Sequence, residues 1–231
     1  MARRKEAGVE CNTEAGRNVS TGVSADLGAA RQGTFRAQGR RVRMLGSCMA
    51  RMLNREAEKG SPDAIFDVLG DLRGFIVGDI GSGGGFFALR FAKAVGTDGR
   101  VYAIDNNKGS LEYIRKLAER NGYGNVETVF SPDDRVPLEE GSIDLFFSRN
   151  SFHHLPEPGR YFDRLRVLLK ARGRVVIIDH AKTSGLSFLN LFGHNSSEES
   201  IRAVMEKAGY SHVGRHEVLK DQSFNLFERI S

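Results

Sequence analysis

One short segment, IVGDIGSGGGFFALRFA at residues 76–92, limits the folds open to this chain more than any other. An apolar run containing Asp79 is followed by Gly81, Gly83, Gly84 and Gly85, and a helix-forming stretch begins at once. Glycine lacks a Cβ and tolerates positive φ, so a loop of this kind lets a ligand approach the backbone. The helix behind it offers unpaired N–H groups. The segment therefore predicts a strand, a ligand-binding loop and a helix.

Apolar runs with strand character alternate with amphipathic helical stretches after this loop. The runs lie at residues 75–80, 100–105, 125–130, 142–150 and 174–179. Buried strands separated by amphipathic helices are typical of a parallel sheet covered on both faces. Residues 210–220 and 222–230 read as two further strands, too close in sequence for a crossover helix, so they predict a hairpin. We expect a doubly wound α/β domain with a mostly parallel, seven-stranded sheet and a C-terminal antiparallel hairpin.

Local signals also predict where helices begin and end. Ser61 followed by Pro62 predicts a helix with a serine N-cap and proline in its first turn. Ser196 and Glu199 form a capping-box pattern before the last helix, and Gly209 is placed to end that helix.

The two ends of the chain differ in composition. Residues 1–43 are rich in small and polar residues and lack a sustained hydrophobic period. They also carry all of the excess positive charge of a 231-residue chain whose formal net charge is +5. We therefore predict a disordered or loosely attached basic tail at residues 1–43 and one folded domain at residues 44–231. A neutral domain is a poor match for a nucleic acid partner.

Several classes of protein are disfavoured by composition. The sequence has neither an apolar run long enough to predict a membrane span nor a signal-peptide pattern. Cys11 and Cys48 form neither a disulfide framework nor a metal-ligand spacing, so no metal site is predicted. A cytoplasmic protein is the expectation, with its oligomeric state open.

The glycines alone leave the ligand undecided. Gly83, Gly85 and Ala88 fit a relaxed G-x-G-x-x-A spacing, and Asp105 follows about twenty residues later, as in dinucleotide-binding proteins. Asp79, however, stands at the strand end, where a carboxylate suits an ammonium group and repels phosphate. A second acidic feature, the Asp133-Asp134 pair after the third strand, is placed to meet an adenine amino group.

Further motifs follow in a characteristic order. They are the glycine loop, Asp105 at the end of the second strand, Asp133-Asp134, PLEEGSIDLFFSRNSFHHL and KARGRVVIID. In this order they resemble class I S-adenosylmethionine-dependent methyltransferases over residues 60–231. The branch is that of the ubiquinone and menaquinone biosynthesis C-methyltransferases and other small-molecule enzymes. The family commonly has a Lys-Pro-Gly-Gly turn where this chain has Lys-Ala-Arg-Gly at residues 170–173. This difference lies in a turn and not in the expected cofactor site.

The resemblance implies a Rossmann-like fold with S-adenosylmethionine as cofactor and S-adenosylhomocysteine as product. The residues expected to bind the cofactor are Asp79, Gly81, Gly83, Gly85, Asp105, Asn106, Asp133, Asp134 and Asn150. By the resemblance, Asp79 and the glycines hold the methionine moiety and Asp105 binds both ribose hydroxyls. The choice between Asp133 and Asp134 for adenine stays open.

Methyl transfer is an in-line displacement with a good leaving group, so positioning contributes most of the catalysis. A general base is needed only for an acceptor that must lose a proton, and the candidates are His153, His154 and His180. Each has an alternative as an ordinary packed or surface histidine.

The acceptor is expected to contact residues 44–70, 153–158 and 180–195. The last segment is apolar at Leu186, Phe188, Leu189, Leu191 and Phe192. It predicts a hydrophobic or aromatic small-molecule acceptor. Two other functions stay open: a catalytically silent binding protein with this fold, and a nicotinamide-dependent oxidoreductase, for which the chain is short.

Overall fold

The computed structural model describes residues 49–180 and 197–230. The strands are β1 (Ile76–Ile80), β2 (Arg100–Asp105), β3 (Val126–Phe130), β4 (Ile143–Arg149), β5 (Leu169–His180), β6 (Tyr210–His216) and β7 (Gln222–Arg229). They form one sheet of order β3-β2-β1-β4-β5-β7-β6. Strands β1 to β5 pair in parallel, whereas β7 is antiparallel to both β5 and β6. The predicted fold class and C-terminal hairpin are confirmed.

The described residues also contain six α-helices and one 3₁₀ helix. They are α1 (residues 49–59), α2 (Pro62–Leu69), α3 (Phe86–Val95), α4 (Lys108–Asn121), the 3₁₀ helix (Phe152–His154), α5 (Pro158–Arg166) and α6 (Glu198–Lys207). None of these helices is long and apolar enough to cross a membrane.

The sheet is buried on both faces. Successive side chains along a strand point to opposite sides, so each inner strand contributes to two apolar clusters. In β5, Val175 and Ile177 belong to one apolar cluster, whereas Val176 and Ile178 belong to the other. The first cluster contains residues of α5 and α6, and the second contains residues of α2, α3 and α4. This two-layer covering explains why the strands read as continuous apolar runs.

The structure corrects two predicted helix starts. Ser61 makes no side-chain cap and lies in the left-handed region at φ 51°, although Pro62 does begin α2. The cap of α6 is Ser197, whose hydroxyl accepts the Ser200 amide, so the predicted Ser196 cap is one residue off. Gly209, at φ 84°, does follow the end of α6 as predicted.

The segment at residues 170–173, predicted to be a turn, lies within β5. Its strand pairing with β4 shifts register there, because Ile143 pairs with Leu169 while Leu145 pairs with Arg174. The four residues therefore form an irregularity at the end of β5 remote from the carboxyl edge of the sheet.

Strand order fixes where a ligand can bind. β1 lies between β2 and β4, so the chain moves outwards to β3 and then returns to the other side of β1. In open α/β sheets the crevice at such a reversal, beside the carboxyl ends of the strands, is the usual ligand site.

Candidate functional site

A cavity of about 1170 Å³ opens at this reversal. Its lining includes the residues at the carboxyl ends of β1, β2 and β4, the segment after β3, one side of α1 and part of α5. A volume of this order exceeds what one small ligand of a few hundred Å³ needs. The cavity has room for two ligands side by side.

The glycine loop lies at the base of this cavity. Gly81, Gly83 and Gly85 have φ values of 68°, 54° and 80°, which favour glycine. A Cβ on Gly81 would also lie 2.5 Å from the Cβ of Ser151. Gly81 and Gly83 line the cavity, whereas Gly85 lies behind them as the N-cap of α3.

Asp79 presents a buried carboxylate to the cavity without a full set of partners. Asp79 is only 3% exposed, and its Oδ2 has no hydrogen-bond partner among residues 49–180 and 197–230. Burial, and secondarily the charge of Asp105, raises the pKa of Asp79 to about 7, while the Ala88 amide opposes the shift. A cationic ligand group would supply what Oδ2 lacks.

Asp105 connects the loop to the next helix. Its Oδ2 accepts the amide of Gly83 at 2.9 Å and its Oδ1 accepts the amide of Asn107 at 2.8 Å. Asn106 follows it, and both residues line the cavity. Each carboxylate oxygen can accept a second hydrogen bond, so Asp105 still has acceptor capacity.

The two acids after β3 both line the cavity, but their surroundings differ. Asp134 forms ion pairs with Arg164 and, at 2.7 Å, with Arg160. Asp133 is exposed, and its Oδ1 accepts the Arg135 amide at 2.9 Å. The charge of Asp134 is therefore compensated within the protein, a distinction that the sequence could not supply.

The candidate histidines form a cluster built on a buried carboxylate. Asp179, fully buried, accepts the ring Nδ1 of His153 at 2.7 Å and the amides of His153 at 3.1 Å and His180 at 2.8 Å. An acceptor at that position makes Nδ1 the protonated nitrogen of His153. Asp179 thus fixes the orientation of His153.

The three histidines differ in their access to the cavity. His154 lines it and contacts His153 with ring centroids 4.0 Å apart. His153 is 7% exposed at its side chain and, like His180, is not part of the lining. Burial lowers the pKa of His180, although the charge of Asp179 opposes this. Of the predicted base candidates, His154 is therefore the one that lines the cavity.

A polar network closes the β4 side of the site. Gln222 Oε1 accepts Nη2 of Arg149 at 2.7 Å, and the Gln222 amide donates to Oδ1 of Asn150 at 2.5 Å. Asn150 has φ 55°, an uncommon value for a non-glycine residue. Arg149 and Asn150 line the cavity, so Gln222 orients two lining residues from the C-terminal hairpin.

Some lining residues were predicted only as part of the segment 44–70, and others were not predicted. Leu53 and Asn54 reach the site because α1 packs on the glycine loop, where a Cβ on Gly84 would lie 2.2 Å from the carbonyl oxygen of Ala50. Tyr161 also lines the cavity, and burial, with the nearby Asp105 charge, raises the pKa of its hydroxyl. Tyr161 was not among the site residues predicted from the sequence.

The structure thus brings most of the predicted cofactor set to one place. The predicted residues that line the cavity are Asp79, Gly81, Gly83, Asp105, Asn106, Asp133, Asp134, Asn150 and His154. Among residues 49–180 and 197–230, no cluster of His, Cys, Asp and Glu has the arrangement of a metal site. The apolar segment predicted to contact the acceptor, residues 186–192, lies outside the described residues.

Comparison with known proteins agrees with the fold. A family model described as "Methyltransferase domain" matches residues 73–227. Arsenite methyltransferase of Halobacterium salinarum is 28% identical over 144 residues, 58% of this chain and 37% of that protein. The ubiquinone/menaquinone biosynthesis C-methyltransferase UbiE of Idiomarina loihiensis is 24% identical over 177 residues, 64% of this chain and 70% of that protein.

A solved structure is similar over most of its length. A SAM-dependent methyltransferase from Aquifex aeolicus superposes with a TM-score of 0.66 at 26% identity, covering 74% of this chain and 90% of that one. The family match spans well over half of the chain and includes the glycine loop, Asp105 and both hairpin strands. The chain therefore belongs to the family of methyltransferase domains.

Proposed function

We propose that this protein transfers the methyl group of S-adenosylmethionine to a small-molecule acceptor. The observation that carries the proposal is the pair of acids at the ends of β1 and β2. Asp79 is buried with Oδ2 unpartnered, and Asp105 stands beside it with acceptor capacity. A buried carboxylate that lacks a partner is costly, and a bound cation removes that cost. The cofactor carries an ammonium group and ribose hydroxyls that suit these two acids.

The glycine loop fits the same cofactor. Gly81 and Gly83 have no side chains to occupy the lining, and their positive φ values favour glycine there, so a ligand can lie against the backbone. Phosphate is a poor alternative because Asp79 would repel it. We assign the methionine moiety to Asp79 and this loop.

The adenosine portion is assigned to the ends of β2 and β3. Asp105 would accept the ribose hydroxyls, and Asn106 lies next to it in the lining. We favour Asp133 over Asp134 for the adenine amino group, because Asp134 already forms ion pairs with Arg160 and Arg164. Tyr161 joins the proposed adenosine site through its position near Asp105.

Catalysis is assigned mainly to positioning. When bound, the cofactor supplies a methyl group attached to a cationic sulfur. The sulfur keeps the electron pair of the broken carbon–sulfur bond and leaves as a neutral thioether. The chain holds the acceptor in line and excludes water, effects that contribute roughly 7 to 11 kcal/mol in well-aligned reactions. If the acceptor must lose a proton, His154 is placed to take it, and Asp179 with His153 fixes the ring beside it.

The acceptor is proposed to be a small molecule with an apolar or aromatic body. Leu53, Phe86, Phe87 and Leu155 provide apolar lining in the described part of the cavity. The apolar residues at 186–192 would add to this surface, and their contribution stays a prediction.

Calorimetric titration tests the proposal. S-adenosylhomocysteine should bind saturably in a one-to-one complex, whereas NAD should not bind. Saturable NAD binding without S-adenosylhomocysteine binding would favour the oxidoreductase alternative. Formation of S-adenosylhomocysteine from S-adenosylmethionine with a panel of small acceptors then separates an enzyme from a silent binding protein.

A further inference from the structure

Among the described residues, the groups that contact the Arg149 guanidinium are neutral. Its Nη2 donates to the Gly60 carbonyl at 2.7 Å and to Gln222 Oε1 at 2.7 Å, and its Nε donates to the same Gln222 oxygen at 3.2 Å. The guanidinium also lies 5.1 Å from the ring centroid of Phe87. These contacts fix its position, and none of these described partners carries a negative charge.

Within the described residues, no carboxylate forms an ion pair with Arg149. Residues 181–196 contain neither Asp nor Glu, so that segment cannot supply one. Burial lowers the pKa of Arg149 to about 10, which leaves the guanidinium charged at neutral pH. Nη1 is buried and has no hydrogen-bond partner. Arg149 is partly buried, and a partly desolvated cation is stabilised when an anion joins it.

Two other arginines of the cavity lining, Arg160 and Arg164, differ in this respect, and Arg135, also in the lining, is exposed. Arg164 forms an ion pair with Asp134. Arg90 likewise lies over an aromatic ring, 5.0 Å from the centroid of Phe66, but it has Asp63 as its ion-pair partner. Arg149 combines an aromatic contact, fixed anchoring and the absence of a described carboxylate partner, which is the arrangement of a binding residue.

The anchoring of Arg149 preorganises it for a ligand. Gln222 holds two of its nitrogen atoms and also orients Asn150, whose backbone adopts φ 55°. Strained residues of this kind concentrate at functional sites. A guanidinium held in one orientation loses less entropy on binding an anion than a mobile side chain does.

We propose that Arg149 binds an acidic group on the methyl acceptor, so that the substrate is a small anionic molecule. This inference rests on the proposed methyltransferase function and names the substrate class of the same cavity. Arg149 lines the cavity, as do Asp79 and Asp105 at the ends of the neighbouring strands. Because Nη1 itself is covered, the acidic group reaches it as the surrounding side chains adjust. The acidic group serves as an anchor that orients the acceptor towards the cofactor.

Matched probes test this assignment in the full chain saturated with S-adenosylhomocysteine. Benzoate, phenyl phosphate and benzamide share an aromatic ring but differ in charge. Calorimetry should show benzoate or phenyl phosphate binding at least about tenfold more tightly than benzamide. The tighter of the two anions identifies carboxylate or phosphate as the preferred group. Equal affinity for all three, or no binding of either anion at millimolar concentration, would overturn the anion site.

Variants locate the preference. Arg149→Gln should reduce the anion-to-amide affinity ratio to about one, whereas Arg149→Lys, which keeps the charge, should retain part of it. Arg90→Gln is the matched control, because Arg90 also lies over a phenylalanine ring but is outside the cavity lining. That control should keep the full ratio. An unchanged ratio in a folded Arg149→Gln protein would overturn the proposal.

A further variant covers the case in which Arg149→Gln does not fold, and cofactor binding separates this proposal from the proposed function. If Arg149→Gln does not fold, Gln222→Leu removes an anchor of the guanidinium without removing its charge, and it should lower the ratio about three- to tenfold. An unchanged ratio there would contradict the anchoring argument. Failure to bind S-adenosylhomocysteine contradicts the proposed function itself, whereas cofactor binding without anion preference contradicts only the role of Arg149.

Discussion

Two buried aspartates, at the ends of β1 and β5, show how differently one residue type is used in this fold. Asp179 is fully buried and accepts three hydrogen bonds, from the ring of His153 and from two backbone amides. Asp79 is 3% exposed, yet its Oδ2 has no partner and its pKa is raised to about 7. Burial alone therefore does not distinguish a structural acid from a ligand-binding one. The distinction is whether the carboxylate oxygens already have hydrogen-bond partners in the protein.

A second contrast, between acidic and basic residues, divides the cavity. The ends of β1 and β2 contribute Asp79 and Asp105, whereas the end of β4 contributes Arg149, with His154 in the segment after it. The strand reversal between β1 and β4 brings these opposite charges to one cavity. In our account, the acidic side receives the cationic methyl donor and the basic side receives an anionic acceptor.

The largest expected effect is on the satisfied aspartate. Asp179→Ala removes an acceptor from two buried amides and from His153, so the free energy of unfolding should fall by about 3 to 5 kcal/mol. Urea unfolding monitored by circular dichroism measures this change. Asp63→Ala, at an exposed ion pair, is the control and should change stability by less than about 1 kcal/mol. A similarly small loss for Asp179→Ala would show that its hydrogen bonds do not stabilise the site.

The next largest effect concerns Asp105. Asp105→Ala should weaken S-adenosylmethionine binding by about 2 to 4 kcal/mol, roughly 30- to 1000-fold, because it removes a charged acceptor for the ribose hydroxyls. It also removes the carboxylate that orders the Gly83 amide. Asp105→Asn should be intermediate, since its NH₂ group must face either Gly83 N or Asn107 N, where an acceptor is needed. Calorimetry gives the affinities, and parental affinity in Asp105→Ala would contradict the ribose assignment.

A smaller effect should appear in the pH dependence of cofactor binding. The folded-state pKa of Asp79 is raised to about 7, so the ionised form that attracts an ammonium group accumulates as pH rises through that value. S-adenosylhomocysteine should therefore bind about tenfold more tightly near pH 8 than near pH 6. Calorimetry at both pH values, in the parent and in Asp79→Asn, measures the effect. A dependence that persists in Asp79→Asn would assign the titration to another group.

The last expected effect is on the stability of the cofactor-free protein. Because the folded-state pKa of Asp79 is raised, its stabilising contribution is full below the unfolded value of 3.8 and is lost as pH rises through about 7. Asp79→Asn should therefore raise the free energy of unfolding more near pH 8 than near pH 5, by at least about 1 kcal/mol, since one pKa unit corresponds to about 1.4 kcal/mol. Urea unfolding at the two pH values makes the comparison. Destabilisation near pH 8 would place Asp79 with Asp179 as a structural acid.

Much of the fold was predictable because its signals are local. Apolar strands, amphipathic helices and the glycine loop each occupy a few consecutive residues, and the Asp79 and Asp105 positions follow from strand ends. The loop and both acids accordingly lie at the predicted edge of the sheet.

The remaining features depend on contacts between distant segments. Arg149 and Gln222 are 73 residues apart, and His153 and Asp179 are 26 apart, so spacing in the sequence does not reveal either pair. The packing of α1 on Gly84 likewise follows only from tertiary structure. The tail boundary near residue 43 and the role of residues 186–192 stay predictions.

A crystal structure of the S-adenosylhomocysteine complex tests the central claim most directly. The account predicts the ammonium group beside Asp79, the ribose hydroxyls on Asp105 and the homocysteine sulfur facing the side of the cavity that holds Arg149 and His154. An adenosine moiety bound at Arg149 and His154, with Asp79 and Asp105 uncontacted, would contradict it.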